Sequence, residues 1–586
     1  MRRFHLIRIP LCLLLALFFA ASSFALPEGG QGPALDPWSE DGWQLTLLCS
    51  SDMRGAVLDT DLLTGLSRTG CLLRLSAYAQ SLRAGRRNLL LLDAGGSLFG
   101  SPEMHFSLKV AGETKPSPVT SLIKGMSYDA VLLGDEDFDL GLDVLRGQTD
   151  ILRGAGTTLL AANYAKNDAQ TSEARRAPWN DAKAFAVYPF FGPDGRTVRV
   201  GVIGLSNRTV TRNDLDGVRG VTVQKMLDTW LYYEPELREA CDIVIALVHA
   251  PIEADERLGW NEEDSVRLLV ENTRGIDLVL CGHSVRGGSA RIANLDGQIT
   301  PVISAGGDGA GVTRVDLRLS PETNRPELVW EILDLSAMPV DAARRAVLEP
   351  MLKPMQAQLD VKIGTLAAAI PCAQDPYGGS DWLNMIHGSQ IWAVEQWARD
   401  ADADLPSAPI SIAYPYLALP EGESLPAGEV RLRDLCRLVT ETPALSLVLV
   451  NGAELRDFLD ELALTIEDND PIYSLSGLHY LLAPDARAGQ RVPFLTHPNG
   501  ENVVSTDVFA VLVAERGEVG GLLTRYLDEE WLPLEERYIP FEIPPYPRLR
   551  LMTPEAYEAC LMLAYSIHAR SPFAPDKGLT HWSISE

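Results

Sequence analysis

The chain has 586 residues and an ordinary globular composition, in which 46% of residues are hydrophobic and 22% are charged. This composition excludes a disordered, collagen-like or coiled-coil protein. The net charge of −28 argues against a DNA or RNA duplex as partner, because phosphate backbones attract basic surfaces. A single long apolar run, at the N-terminus, excludes a protein with several membrane spans.

The first 25 residues have the pattern of a secretory signal peptide. Three arginines, Arg2, Arg3 and Arg8, lie before a long apolar run. This run ends in the small-x-small sequence Ser23-Phe24-Ala25. We expect cleavage after Ala25, with an uncleaved anchor as the alternative, and no stable membrane span in the mature protein. Residues 26–42 are rich in Pro and Gly and are predicted to form a tether. The cysteines contain no C-x-x-C pair, and we expect most of them to be buried small apolar residues.

Five short apolar runs predict buried strands, and each is followed by polar residues or glycine. Helix-like stretches such as Cys71–Arg83 and Asn261–Asn272 lie between them, which predicts an α/β sheet covered on both faces. In such sheets ligands bind outside the carboxyl ends of the strands, where these runs deliver Asp, Glu, His and Gly. The runs are Leu45–Cys49, Leu89–Leu92, Ala130–Leu133, Ile243–Val248 and Leu278–Cys281.

A second α/β domain is predicted after the first. Val340–Leu359 has the composition of a linking helix, and a mixed pattern of helices and strands begins at Ile363. The final polar stretch, Ser571–Glu586, is predicted to be a loose tail. The predicted divisions are a signal peptide at 1–25, a tether at 26–42, a first domain at 43–337, a linking helix at 338–362, a second domain at 363–570 and a tail at 571–586.

The residues at the predicted strand ends resemble, in their order, those of the calcineurin-like metallophosphoesterases. They are similar in particular to the secreted 5′-nucleotidase and 2′,3′-cyclic-nucleotide 2′-phosphodiesterase/3′-nucleotidase family. The motifs are Ser51-Asp52-Met53-Arg54-Gly55, Asp93-Ala94-Gly95-Gly96, Gly134-Asp135-Glu136-Asp137-Phe138-Asp139, His249 and Gly282-His283-Ser284-Val285. The second domain resembles the C-terminal domain of that family at Ile363-Gly364-Thr365, Ala427-Gly428-Glu429-Val430, Asn451-Gly452-Ala453-Glu454-Leu455, Ser476-Gly477-Leu478 and Gly520-Gly521.

The resemblance implies a four-layer αββα metallophosphoesterase sandwich followed by a second α/β nucleotidase domain. It also implies hydrolysis of a nucleotide or another small phosphoester at two cations that clamp the phosphate. The chain departs from the family pattern at most of the positions that hold these cations. Arg54 replaces a ligand histidine, Gly96 the bridging aspartate, Asp135 a ligand asparagine, Glu136 the catalytic histidine and Val285 a second ligand histidine.

Of the ligand residues in the family pattern, the chain keeps only Asp52, His249 and His283. A two-metal centre is therefore not expected. One interpretation is a single Zn²⁺, Mn²⁺ or Fe²⁺ on His249, His283 and Asp135, with Asp52 the remaining side chain of the other site. Glu136 would then act as a base or an acid. The other two interpretations are a dead site in a binding module, and relic side chains that only bond strand ends.

Arg54 and two tyrosines are the predicted substrate-binding residues. The fixed fork of Arg54 would hold a phosphate or pair with Asp52. Tyr473 and Tyr480 flank Ser476-Gly477-Leu478, where they would stack a base unless they are half-buried strand residues. The segment Ile412–Leu417 lacks the Gly-Gly-Arg that the resemblance implies for phosphate binding.

These observations predict a degenerate, secreted member of the family, located in the bacterial periplasm. Its activity on nucleotide phosphoesters would be weak and dependent on a single metal, or lost. The alternative is a non-catalytic binding or interaction protein of the periplasm or envelope, whose negative charge would suit a basic partner. The oligomeric state does not follow from the sequence.

Overall fold

The computed structural model describes most of the chain between residues 43 and 584. The predicted signal peptide 1–25, the predicted tether 26–42 and Val285 lie outside the described residues. The described residues are 43–62, 65–85, 88–101, 103–104, 107–108, 115–138, 141–166, 179–192, 195–208, 221–254, 262–284, 286–307, 309, 311–319, 326–371, 380–414, 424–436, 438, 444–464, 473–515, 537–539, 558–575 and 581–584.

The chain forms two compact units. The first extends to Asp61 and then from Ser67 to Leu352, and the second takes in Leu62–Leu66 and starts again at Lys353. The division falls inside the helix Ala342–Leu359, which the sequence predicted as a linking helix. None of the described helices combines the length and the apolarity needed to cross a bilayer.

The first unit alternates strands with helices. Its helices are α1 (Leu72–Gly85), α2 (Pro118–Met126), α3 (Leu142–Gly154), α4 (Met226–Ala240) and α5 (Val266–Glu271), followed by α6 (Ala342–Leu359) at the division. Its strands are β1 (Gln44–Ser50), β2 (Leu89–Asp93), β3 (Ala130–Leu132), β4 (Thr158–Leu160), β5 (Tyr164–Lys166), β6 (Phe185–Phe191), β7 (Thr197–Ser206), β8 (Val221–Val223), β9 (Ile243–His249), β10 (Leu278–Gly282), β11 (Gly288–Ala293), β12 (Ile299–Ser304), β13 (Gly311–Leu319) and β14 (Pro326–Asp334).

Two six-stranded sheets form the inner layers of this unit. Their strand orders are β14-β13-β1-β2-β3-β4 and β11-β12-β10-β9-β7-β6. Within β9, Ile245 and Leu247 belong to the core that the two sheets share, whereas Ala246 and Val248 pack with residues of α4 and α5. On the other sheet, α1 packs against β2 and α3 against β4. The layering confirms the predicted αββα sandwich, and it explains why these strands are apolar on both faces.

The second unit is also α/β. Its helices are α7 (Asp381–Asp400), α8 (Leu432–Cys436), α9 (Gly452–Leu462) and α10 (Glu558–Ala569). Its strands are β15 (Lys362–Leu366), β16 (Ile370–Pro371), β17 (Ile410–Ala413), β18 (Ser424–Leu425), β19 (Gly428–Arg431), β20 (Ala444–Asn451), β21 (Ser474–Ser476), β22 (His479–Leu482), β23 (Phe494–Thr496), β24 (Val508–Glu515), β25 (Tyr538–Ile539) and β26 (His581–Ile584). The central sheet has the order β21-β17-β24-β20-β25.

Local sequence explains where α9 begins. Asn451 accepts hydrogen bonds from the backbone N–H groups of Ala453 and Glu454 at 2.9 and 3.0 Å. The Glu454 side chain in turn accepts from the Asn451 N–H at 2.9 Å, which completes a capping box.

The prediction of a loose tail after residue 570 is wrong for the residues described there. Phe573 is 2% exposed, and its N–H donates to the carbonyl of Thr365 at 2.8 Å. Strand β26 pairs in parallel with β22. The stretch is polar in composition, but its backbone extends a sheet and its one phenylalanine is buried, so composition alone was misleading.

Candidate metal centre

Five strands of the first unit end close to one another. Strands β1, β2 and β3 are parallel neighbours in one sheet, and β9 and β10 are parallel neighbours in the other. The loops that follow them meet directly, because a Cβ atom on Gly134 would lie 2.4 Å from the backbone nitrogen of Gly96 and 2.8 Å from Nε2 of His249. Only glycine fits at position 134, so this approach of three strand ends depends on it.

Four side chains at these strand ends bring their ligand atoms together. Atoms of Asp135, Glu136, His249 and His283 all lie within 4.8 Å of one another. Nε2 of His249 is 2.8 Å from Oδ1 of Asp135 and 3.3 Å from Nδ1 of His283. The third side of that triangle, from Nδ1 of His283 to Oδ1 of Asp135, is 3.1 Å. Two imidazoles and a carboxylate therefore face a common point.

This triangle fits one divalent cation. Neighbouring ligands of an octahedral ion with bonds of about 2.1 Å lie about 3 Å apart, which matches all three sides. Oδ1 of Asp135 is buried and accepts no aligned hydrogen bond, although two ring nitrogens lie within ion-pair distance of it. A cation would satisfy that oxygen, and the donor set of two nitrogens and one oxygen suits Zn²⁺, Mn²⁺ or Fe²⁺.

The backbone orients the ring of His249. Nδ1 of this fully buried histidine lies 2.9 Å from the carbonyl oxygen of Ala94. A carbonyl only accepts, so Nδ1 carries a hydrogen and the other ring nitrogen, Nε2, is directed at the cluster. Metal-binding histidines usually make a contact of this kind through the second ring nitrogen.

Asp52 holds the backbone of His283. The N–H of His283 donates to both carboxylate oxygens of Asp52, at 3.1 and 3.0 Å. His283 has a φ of 52°, in the left-handed region, and Asp52 and Arg54 have φ values of 49° and 43°. Such strained residues concentrate at functional sites. Asp52, predicted as a ligand, lies outside the group of four and instead fixes the strained segment that carries His283.

The charges of the cluster are strongly coupled. Burial disfavours ionisation of Asp135, but its contacts with His249 and His283 outweigh burial and hold its pKa well below the usual range. Burial also disfavours a charged ring at His249, but the Glu136 and Asp135 carboxylates raise its pKa well above the usual value. Burial raises the pKa of Asp52 to about 6. The cluster therefore attracts positive charge, either a proton or a cation.

Arg54 lies at the outer side of the cluster. Its side chain is 50% exposed, and its guanidinium is 3.6 Å from Oε1 of Glu136. The sequence predicted a pair with Asp52 or a phosphate contact. The structure places Arg54 in an ion pair with Glu136.

Two buried carboxylates that the sequence did not single out support the loops. Asp137 accepts the N–H groups of Gly134 at 2.8 Å, Gly96 at 3.2 Å and Leu98 at 2.8 Å, and so joins two loops of the site. Burial raises its pKa to about 7. Three converging backbone donors favour the ionised form, which shows that the carboxylate acts as a loop clamp.

Asp93 supports the loop after β2 in the same way. It accepts hydrogen bonds from the hydroxyls of Ser50 and Ser97, at 2.5 and 2.7 Å, and from the N–H of Gly95 at 3.0 Å. Burial raises its pKa to about 7. Both acids stand at strand ends in the sequence, which was the available signal. The residue type alone does not distinguish a metal-binding carboxylate from one that holds a loop. The distinction depends on how buried the carboxylate is and on which backbone N–H groups it accepts.

The two predicted stacking tyrosines differ in their surroundings. Tyr480 is 2% exposed in the core of the second unit, and its hydroxyl accepts the N–H of Leu475 at 3.1 Å. A ring buried in this way has no open face for a base. Tyr473 is partly buried, with its ring centroid 5.0 Å from that of Tyr414. Tyr473 is therefore the better placed of the two for a ligand.

Comparison with known proteins matches both units. Residues 145–287 match the family model described as calcineurin-like phosphoesterase, and residues 362–515 match that of the 5′-nucleotidase C-terminal domain. The trifunctional nucleotide phosphoesterase protein YfkN of Bacillus subtilis is 24% identical over 465 residues, which cover 73% of this chain and 30% of that protein. The 2′,3′-cyclic-nucleotide 2′-phosphodiesterase/3′-nucleotidase of Haemophilus influenzae is 26% identical over 298 residues, 49% of this chain and 41% of that protein.

Solved structures show the same fold over nearly the whole chain. A putative 5′-nucleotidase from Staphylococcus aureus has a TM-score of 0.62 at 19% identity, covering 93% of this chain and 100% of that one. A 5′-nucleotidase precursor from Thermus thermophilus has a TM-score of 0.54 at 18% identity, with coverage of 92% and 99%. The chain spans well under half the length of the two curated relatives above, so their activities do not transfer directly.

Proposed function

Since the chain belongs to the family that joins a calcineurin-like phosphoesterase domain to a 5′-nucleotidase C-terminal domain, we propose that it is a secreted, degenerate member with one cation site. Its reaction would be weak hydrolysis of a nucleotide or a related small phosphoester. The relatives named as nucleotidases and phosphodiesterases support the substrate class.

The observation that carries this proposal is the triangle of His249 Nε2, His283 Nδ1 and Asp135 Oδ1. Its sides of 2.8, 3.1 and 3.3 Å suit one cation, and the ring of His249 is already oriented by Ala94. A divalent cation supplies Lewis-acid chemistry, because it stabilises charge on phosphoryl oxygens and makes water more acidic.

Arg54 is the residue best placed to bind the phosphoryl group. Its half-exposed guanidinium stands 3.6 Å from Glu136 at the edge of the cluster. The guanidinium presents a planar fork of donors that matches phosphate oxygens, and its charge offsets charge that develops on them. Asp52 contributes by holding His283, not by contact with substrate.

Weak activity follows from what the strand ends lack. Position 96 is a glycine and offers no ligand atom, and both oxygens of Asp52 accept the N–H of His283. A second cation would therefore have few side chains to hold it. In two-metal sites the two cations stabilise both the attacking and the leaving oxygen. A single cation does not provide this paired stabilisation.

Tyr473 of the second unit is proposed as a residue that stacks a nucleotide base. Location in the bacterial periplasm is part of the proposal, and it is supported by the basic and apolar N-terminal sequence.

A non-catalytic binding protein is the second candidate. It is favoured by the ion pair between Arg54 and Glu136, which neutralises two of the groups that would otherwise face a substrate. Such a protein would bind a nucleotide or a protein without turnover, and chelator would not affect the binding.

The test is hydrolysis of aryl phosphate monoesters, aryl phosphate diesters and a nucleotide panel by metal-loaded protein. We expect slow release that chelator abolishes and that the double variant His249→Ala/His283→Ala lacks. His497→Ala is the matched control, because this histidine pairs with Asp507 in the second unit and should leave turnover unchanged. Turnover that survives in chelator-treated protein would refute the metal account, and binding without turnover would favour the second candidate.

A further inference from the structure

The side chain that Gly96 lacks would point into the cluster. A Cβ atom built there would lie 3.0 Å from Cε1 of His249, 3.1 Å from Oε2 of Glu136 and 3.3 Å from Oδ1 of Asp52. Any larger residue at position 96 would therefore enter the space between these three groups. The backbone of Gly96 also has a φ of 69°, which side-chain-bearing residues rarely adopt.

Glu136 extends its carboxylate into that space. It stands at the start of the 3₁₀ turn Glu136–Phe138 that follows β3, while Gly96 follows the neighbouring strand β2. Oε2 of Glu136 lies 3.0 Å from Nε2 of His249, the distance expected for two neighbouring ligands of one ion. The space that a side chain at position 96, after β2, would occupy is thus filled by the carboxylate of Glu136, which follows the neighbouring strand β3.

The other oxygen of the same carboxylate faces outward. Oε1 of Glu136 lies 3.6 Å from the guanidinium of Arg54 and 3.9 Å from Nδ1 of His283. A base that serves a substrate needs a free oxygen aimed at the substrate. Here one oxygen is turned towards His249 and the other is next to an arginine.

We infer that Glu136 is the fourth protein ligand of the cation, binding through Oε2, and that Gly96 makes room for it. Arg54 holds the outer oxygen and so fixes the direction of the carboxylate. This assignment replaces the acid or base role that the sequence suggested for Glu136. It rests on the proposed cation and does not depend on turnover.

The assignment has a consequence for the choice of metal. Two imidazoles and two carboxylates close a tetrahedral Zn²⁺ site, which would then have no open position. An octahedral Mn²⁺ or Fe²⁺ keeps two positions for water or phosphate. Turnover should therefore be supported by Mn²⁺ or Fe²⁺ and be lost when Zn²⁺ occupies the site.

The experiment is a titration of metal-free, full-length protein with Mn²⁺, following free Mn²⁺ by electron paramagnetic resonance. We expect Glu136→Ala to weaken binding by more than about 100-fold, since loss of a residue that only supports a ligand already costs about 10- to 100-fold. Gly96→Ala should weaken binding in the parent by displacing the carboxylate. Its effect should be smaller in the Glu136→Ala background, where the contact with His249 remains but no carboxylate is left to displace.

Two features make the outcomes separable. Strain at position 96 is common to both backgrounds, so it cancels in the double-mutant cycle. Glu253→Gln is the charge control, since Glu253 pairs with Arg267 on the surface of the same unit. If the parent binds no Mn²⁺, the proposed cation site fails. If the parent binds and either Glu136→Ala has no effect or the two substitutions are additive, only the role of Glu136 is overturned.

Discussion

Both units bury a histidine completely, but the two side chains have opposite surroundings. His249 in the first unit meets two carboxylates, and its pKa is raised well above the usual value. His387 in the second unit lies 2.7 Å from the hydroxyls of both Ser411 and Ser474, and burial lowers its pKa to about 3. Burial acts on both rings in the same direction, so the neighbouring charges make the difference.

The comparison separates a structural histidine from one suited to a ligand. His387 is neutral, hydrogen-bonded through both nitrogens and enclosed by neutral groups, so it stabilises a core. His249 has one nitrogen fixed by Ala94 and the other directed at acids and at His283, so it gains from any positive charge placed there. Substitutions in the two units test whether the surroundings of His249 and His387 differ in this way, and by how much.

The largest expected effect is on acid stability, through His387. Its folded pKa of about 3 lies below the unfolded value of 6.5, so the unfolded state binds the proton first. Stability contributed by this neutral ring is present above about pH 6.5 and is lost as the pH falls towards 3, at about 1.4 kcal/mol per pH unit. His387→Asn should remove this slope in thermal melts measured between about pH 6 and pH 4. An unchanged slope would show that the ring is already charged in the fold.

The next effect is on metal affinity, through His249. Its neighbouring carboxylates raise its pKa, so a cation that binds there must compete with a proton. Affinity for Mn²⁺ should therefore increase as the pH rises through the pKa of this ring, with proton release on binding. His387→Asn should show the same slope. An affinity independent of pH would contradict the coupling of His249 to its carboxylates.

A smaller effect is expected on nucleotide binding, through Tyr473. Loss of a stacking ring costs about 1–3 kcal/mol of binding, so Tyr473→Ala should weaken nucleotide affinity by about one to two orders of magnitude. Calorimetric titration of the parent and the variant would measure this. Equal affinities would remove Tyr473 from the proposed pocket.

The smallest effect is expected for Tyr480, on stability alone. Tyr480→Phe removes the hydroxyl that accepts the N–H of Leu475 and should lower the free energy of unfolding by about 1 kcal/mol. Nucleotide affinity should stay unchanged in the same titration. A loss of affinity with unchanged stability would mean that the ring is not held in the core.

The sequence predicted the layers of the first unit because each buried strand is apolar on both faces. Leu89–Leu92 and Ile243–Val248 could be placed by composition alone, and the polar residues after them marked the site. The order of the motifs then indicated the family, which fixed Asp135, His249 and His283 as candidates.

The sequence did not predict how the substituted positions compensate for one another. Glu136 and Gly96 lie 40 positions apart, and their fit depends on the distance between two strand ends. Asp52 bonds the backbone of His283 because that segment has a left-handed conformation, which no residue type signals there. For Tyr480 the sequence left a stacking ring and a half-buried strand residue as alternatives, because its burial depends on sheet packing in the second unit.

The most direct test of the central claim is the metal content of purified mature protein. The protein would be incubated with Zn²⁺ and Mn²⁺, desalted and measured by elemental mass spectrometry, beside His249→Ala/His283→Ala and the control His497→Ala. A single-cation centre predicts about one equivalent in the parent and the control and none in the double variant. Two equivalents in the parent, or equal metal in all three proteins, would contradict it.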